Sequence, residues 1–444
     1  MIPVILYDRF LMAFSLGVHI ILASLGMTVP IVMVVAEVLG IRRKDQPYTV
    51  LAKRLSRMFI ILFAVGTASG VLVASELYLL WPPFMALIGQ TAILTIYIEV
   101  FAFFLESIFL AVYVYGWDRF RNRYVHALIG MVVAVGGAAS AVLITMLNAF
   151  MNTPSGFNIQ QYLATGSLGL VNPFQALATP STLIEVSHVM VTTYFMGSFL
   201  LLSYFAYRVL KSQGPERQYY RKGLKITMSI VIIATALSAI TGPLSISNIY
   251  AVQPEKYAAL EANIAPMTHA PERIFGTYAN GSFTGGLLIP DLQSILATGS
   301  PSGLVPGLDQ FPRNTWPPLI VHDFFDVVVG LGFLFALFAL VIVVMALLKK
   351  SPLDRPVMLK GYIAATVLAV ALYELGWAMA EIGRQPWIIY NVMTVSQAAN
   401  TSPSVIPIAI AYIALYTVIV PLTVFIIAKV LGQRPLTGEL EAVQ

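Results

Sequence analysis

Residues 327–348 read VVVGLGFLFALFALVIVVMALL, an apolar run without one charged side chain, closed by Lys349 and Lys350. Water is absent from the bilayer core, so every backbone polar group must be satisfied within the segment, and a run of about 20 apolar residues is read as a spanning helix. The pattern predicts such a helix over 318–348. Comparable stretches lie at 11–38, 56–81, 92–115, 126–150, 181–209, 222–246, 357–381 and 405–431. Together they predict an all-α integral membrane protein of about nine transmembrane helices. Composition agrees: of 444 residues, 58% are hydrophobic and 11% charged, against about 25% charged in soluble domains. Mean hydropathy is +0.82.

The net charge of +5 is no nucleic-acid signal. Basic residues gather in alternate linkers: Arg42 to Arg57, Arg119 to Arg123, Arg208 to Lys225, Lys349 to Lys360, then Lys429 and Arg434. The other linkers hold only Arg9, Lys256, Arg273, Arg313 and Arg384. Positive residues stay on the cytoplasmic side, which places the N-terminus outside, the C-terminus in the cytoplasm, and the chain in the cell membrane as a multi-pass protein. No removable signal peptide is expected, because no short apolar core with a basic flank and a cleavage site opens the chain. Three parts follow: 1–246 with six spans; 247–317, a long external loop; and 318–444 with three spans and a cytoplasmic tail.

Cysteine is absent, which leaves His, Met and carboxylates as metal ligands. Ionisable residues inside a span are costly and are functional candidates. Three of the five histidines, His19, His188 and His322, fall at similar depth near the outer ends of their spans. Neutral imidazole is a common metal ligand and often holds haem iron, although a lone histidine also simply bonds a neighbouring helix. Glu99 and Glu106 stand seven residues apart, on one helix face, about 10 Å apart along the axis. Stacked carboxyls suit a proton relay, or a pair of protonated structural groups. Glu381 closes the eighth span before Gly383-Arg384-Gln385-Pro386-Trp387, with Glu374 two turns earlier. Arg384 suits an interfacial ion pair or the propionates of a haem. Asp323 and Asp326 follow His322, and Glu76 lies near an outer end. Glu37, near the inner end of the first span, is expected to be solvated, and Trp81, Trp117 and Trp316 to be interface anchors.

Several runs resemble subunit I of cytochrome bd oxidases over nearly the whole chain. They are Glu99 with Phe103-Phe104-Leu105-Glu106-Ser107; Gly116-Trp117-Asp118-Arg119; Asn148 through Met151-Asn152-Thr153-Pro154-Ser155-Gly156-Phe157; Val252-Gln253-Pro254 with Lys256-Tyr257-Ala258-Ala259-Leu260-Glu261; and Gly376-Trp377 with Glu381 and the Gly-Arg-Gln-Pro-Trp run. The resemblance implies a quinol:oxygen oxidoreductase of the respiratory chain. By it, His19 and Glu99 serve one haem iron, Glu381 a second high-spin haem, and His188 the low-spin haem b. It implies two b haems with either haem d or a third b haem. It also implies quinol at Lys256 and Glu261 in the external loop, and proton delivery by Glu106 and Asn148. Partners implied are dioxygen and a second membrane subunit, either subunit II-like or a subunit I paralogue.

One run departs from the family. Its Phe-Arg-x-Met-Val-Gly pattern supplies a Met ligand to the low-spin haem, but here the run is Phe325-Asp326-Val327-Val328-Val329-Gly330. Valine cannot bind iron. Either that haem is five-coordinate, or His322 substitutes, or it is absent. The last option makes the chain a haem-poor paralogue partnering a complete subunit I. A proton-coupled transporter is the reading from a different class, but such folds show repeats and broken helices that this sequence lacks.

Overall fold

The computed structural model describes residues 4–279, 281–432 and 436–441; Arg434 of the basic linkers lies outside them. Among the described residues, nine helices are long and apolar enough to cross a membrane. They are Val4–Arg43, Gln46–Leu80, Ile93–Tyr115, Arg123–Asn152, Thr182–Lys211, Gly214–Val252, Val321–Leu347, Pro356–Ile382 and Val405–Gly432. These are called the first to ninth spans. Several outrun their apolar runs. The first has 40 residues, about 60 Å at 1.5 Å per residue, twice the hydrocarbon thickness.

Successive spans pair antiparallel: first with second, third with fourth, fifth with sixth. The first span is central and also packs on the fourth, fifth and ninth. Val29, Val32, Met33 and Ala36 in its middle are buried in one cluster with Phe59, Phe199 and Val231. Phe101, Leu128, Phe333, Val367 and Phe425 point outward from the bundle. Such apolar exposure would be a liability in water and is the expected lipid-facing surface of a membrane bundle.

The two faces of the bundle differ. At the C-terminal face several basic residues find acidic partners. Arg54 and Arg57 bind Glu439 of the short helix Leu436–Glu441 at 2.9 and 2.5 Å, and Lys222 binds Asp45. The N-terminal face carries most of the non-spanning chain. Helix Pro82–Thr91 follows the second span, helices Ile159–Thr165 and Pro173–Leu177 lie between the fourth and fifth, and a hairpin, Trp387–Ile389 with Met393–Thr394, follows the eighth. Gly156 shows why its run needs glycine: φ is +86°, and an added Cβ would sit 2.5 Å from Asn172 O.

The 247–317 stretch is more ordered than expected. The sixth span continues to Val252, helix Pro254–Leu260 follows, and two hairpins pair Glu272–Ile274 with Leu287–Ile289 and Thr277–Ala279 with Ser282–Thr284. Strands this short leave no periodic signal. Glu37 is likewise not solvated. It has no exposed surface, receives Arg123 at 2.6 Å and Tyr113 at 2.8 Å, and lies 2.7 Å from His126 Nδ1. Trp81 and Trp117 are packed inside the chain, Trp117 beneath the Arg123 guanidinium at 4.6 Å. They anchor the fold rather than an interface.

Candidate functional site

The four span histidines differ in how their ring nitrogens are engaged. His19 has Nδ1 2.9 Å from Ser69 Oγ, and His188 has Nδ1 3.0 Å from Thr241 Oγ1. In both, Nε2 has no protein partner among the described residues. One nitrogen tied and the other free is the arrangement a metal-ligating histidine needs, since the tie sets the ring's orientation. His126 is the opposite case: Nδ1 meets Glu37, and Nε2 meets Tyr113 O at 2.8 Å. His322 stands between them: Nδ1 lies 2.7 Å from Leu260 O, while Nε2, 3.4 Å from Asp326 Oδ2, has no hydrogen-bond partner among the described residues.

Around His19 the chain makes room. A Cβ at Gly70 would lie 3.2 Å from the His19 ring, and one at Gly17 would lie 3.1 Å from Glu374 Oε2. Glu374 Oε1, Glu76 Oε2 and both Asp8 carboxylate oxygens are buried with no hydrogen-bond partner among the described residues. Buried polar atoms are almost always satisfied, so these orphans mark where a bound group or water belongs. Imidazole and carboxylate donors, close-packed glycines and orphaned acceptors together fit haem at His19, and at His188 the tied imidazole carries the fit. The seventh span carries Val328 where the run it resembles has its Met, so it offers no thioether at that position.

The fourth span acts as a rail for carboxyl groups. Nearest the C-terminal face, Glu106 packs on Gly136 and Gly137; a Cβ on Gly137 would lie 3.0 Å from its Oε1. Further along, Ser140 donates to Glu99 Oε1 at 2.5 Å. At the N-terminal face of the bundle, near the end of this span, Asn148 donates to Glu381 Oε1 at 2.8 Å. Asn148 is eight residues beyond Ser140, about 12 Å along the helix. It therefore keeps company with Glu381, not with Glu106.

Glu381 belongs to a wider network. Arg384 donates to Glu381 Oε2 and, at 2.9 Å, to Asn152 Oδ1. Asn152 Nδ2 donates to both Glu185 oxygens at 3.0 and 3.1 Å, and Gln253 donates to Asn152 Oδ1 at 3.2 Å. Lys256 donates to Ala380 O at 2.9 Å, beside Glu381. Burial pushes the Lys256 ammonium down to about 8, the Arg384 charge adds to this, and Glu185 and Glu381 oppose it. Glu185 went unnoticed in the sequence, where an acid in a helix's first turn reads as a dipole partner. Its signal was position: three residues before His188, it shares that side of the fifth span.

Lys256 and Glu261 lie at opposite ends of one short helix and engage different partners. The Glu261 carboxyl neighbours that of Glu272 on the first hairpin closely enough for its charge to be felt. Burial, then repulsion from Asp326, pushes Glu272 up to about 7; burial and both neighbouring carboxyls push Glu261 up.

The comparisons with known proteins agree along the full chain. The family model described as "Cytochrome bd terminal oxidase subunit I" matches residues 7–435. A provisionally named cytochrome bd menaquinol oxidase subunit I of Bacillus subtilis (strain 168) is 33% identical over 446 residues, covering 98% of both chains. A cytochrome bd ubiquinol oxidase subunit 1 of the same organism is 28% identical over 93% of this chain and 90% of its own. A chain of the bd oxidase structure from Geobacillus thermodenitrificans superposes with a TM-score of 0.89. It is 37% identical, over 98% of this chain and 99% of that one.

Proposed function

The chain belongs to the cytochrome bd terminal oxidase subunit I family, and from that premise we propose that it is the haem-holding subunit of a quinol:oxygen oxidoreductase in the cell membrane. The observation that carries this reading is the pair His19 and His188, each with one ring nitrogen tied to a hydroxyl and Nε2 free. When bound, haem supplies the iron through which electrons taken from quinol reach dioxygen. The overall balance is two quinols and one dioxygen giving two quinones and two waters. His19, with Glu99 and Glu381, would hold the two high-spin haems, and His188 the low-spin haem b. Arg384 braces the Glu381 carboxyl and has a buried Nε without a partner among the described residues, suited to a propionate.

Quinol is placed at the N-terminal face, taken as outside. There Lys256 is tied to the backbone beside Glu381, and burial raises Glu272 to about 7, where a carboxylate can accept a quinol proton. Protons for water are drawn from the opposite, cytoplasmic face. Glu106 and Glu99 line that route, and Asn148 at its far end holds the Glu381 carboxyl in place. A second membrane subunit completes the enzyme.

The missing thioether at Val328 favours one other reading, a haem-poor paralogue that partners a complete subunit I. Haem extraction from the purified, haem-replete complex separates the two. Haem on this chain supports the oxidase reading, and haem confined to the partner supports the paralogue.

A further inference from the structure

The seventh span opens with His322-Asp323-Phe324-Phe325-Asp326, and two of these side chains reach out to hold the 254–290 segment. His322 Nδ1 lies 2.7 Å from Leu260 O; a carbonyl only accepts, so Nδ1 carries the hydrogen. One turn on, Asp326 Oδ2 accepts the Phe275 backbone N–H at 2.5 Å. Nε2 of His322 and Oδ2 of Asp326 lie 3.4 Å apart, so the two anchors stand side by side. His322 is 1% exposed, and the Phe283 ring of the second hairpin packs edge-on against it at 5.4 Å.

The anchored points flank the carboxyl pair. Leu260 immediately precedes Glu261, and Phe275 follows Glu272 by three residues. Phe275 has φ of +57°, a region that bulky residues rarely adopt unless the surroundings impose it. The Asp326 carboxylate is the group that engages its N–H.

We propose that His322 and Asp326 are positioning residues: together they clamp the 254–290 segment to the seventh span and so bring Glu261 against Glu272. The proposal deepens the placement of quinol at this loop and rests on it. It also assigns His322 to the loop rather than to iron. Nδ1, which carries the hydrogen, is tied to Leu260 O, and Nε2, without a hydrogen-bond partner among the described residues, points at the Asp326 carboxyl 3.4 Å away.

The test uses the complete purified oxidase carrying H322A, H322N, D326A or D326N. Asparagine can return an N–H near the His322 Nδ1 position, and D326N keeps an oxygen for the Phe275 N–H. Three readouts are taken: backbone hydrogen exchange across 254–290, the reduced-minus-oxidised spectrum, and KM and kcat with the soluble quinol duroquinol. The alanine variants are expected to raise exchange about tenfold, and the asparagine variants to bring it back toward wild type. The spectrum stays unchanged, and KM rises about fivefold with kcat within about twofold. Unchanged exchange in both alanine variants overturns the clamp. Loss of a low-spin haem signal in H322A also overturns it and returns His322 to iron. Raised exchange with an unchanged KM keeps the clamp and removes quinol from this loop.

Discussion

Asn148 of the fourth span donates to Glu381 of the eighth at 2.8 Å, across 233 residues of sequence. The bond ties the third–fourth span rail of carboxyls to the network around Arg384. With Arg384 on its other oxygen, it fixes how the Glu381 carboxyl is presented.

Asn148→Ala should therefore disturb Glu381 more than it disturbs the fold. Losing a hydrogen bond to a charged group costs about 1.5–3 kcal/mol, on the order of a tenfold to hundredfold loss of turnover. Oxygen uptake and the carbon monoxide difference spectrum check this. Unaltered values in both would show that Asn148 does not position Glu381.

Glu106 should matter for protons and not for haem. Glu106→Gln keeps the shape but cannot pass a proton, so oxygen uptake should fall about a hundredfold with haem content intact. Gly137→Ala would place a methyl group 3.0 Å from Glu106 Oε1 and should lower turnover through the same carboxyl. Full activity in Glu106→Gln would remove it from the route.

Carboxyls held protonated by burial make the loop pH-sensitive in one direction. Glu272 is raised from an ordinary value of 4.5 to about 7, so between those values the folded loop binds more protons than the unfolded one. Its stability is full below the unfolded value and declines as pH rises through the folded value. Hydrogen exchange across 254–290, corrected for its intrinsic pH dependence, should rise over that window, and Glu272→Gln should flatten the rise. Protection that grows with pH would contradict the arrangement.

The Glu37 cluster should carry stability without chemistry. Removing one partner of a fully buried ion pair costs about 3–5 kcal/mol; Arg123 is partly exposed, so Glu37→Ala should cost less than that and still lower the thermal midpoint by unpairing Arg123, Tyr113 and His126. Haem spectra of the protein that does fold should match wild type. A changed spectrum would make the cluster part of the site.

The nine spans were legible because lipid demands long apolar runs, and 327–348 is such a run. Their ends were less so. Gln46 to Ser56 and Gly214 to Arg221 are polar helix beyond the apolar part, and hydropathy does not report it. Glu37 looked solvated because its partners, Arg123 and His126, come from 86 and 89 residues away. His19 and His188 stood out, but only the packing separates them from His126, whose second nitrogen is already taken. Lys256 and Glu261 read as neighbours, yet burial turns one toward Ala380 and the other toward Glu272.

The central claim is that His19 and His188 grip haem iron through their free nitrogens. Haem quantified per chain in the purified, haem-replete complex tests it most directly, with His19→Ala and His188→Ala beside wild type. The account predicts haem on this chain and the loss of a distinct fraction in each variant. A colourless chain, or haem content indifferent to both substitutions, would contradict it.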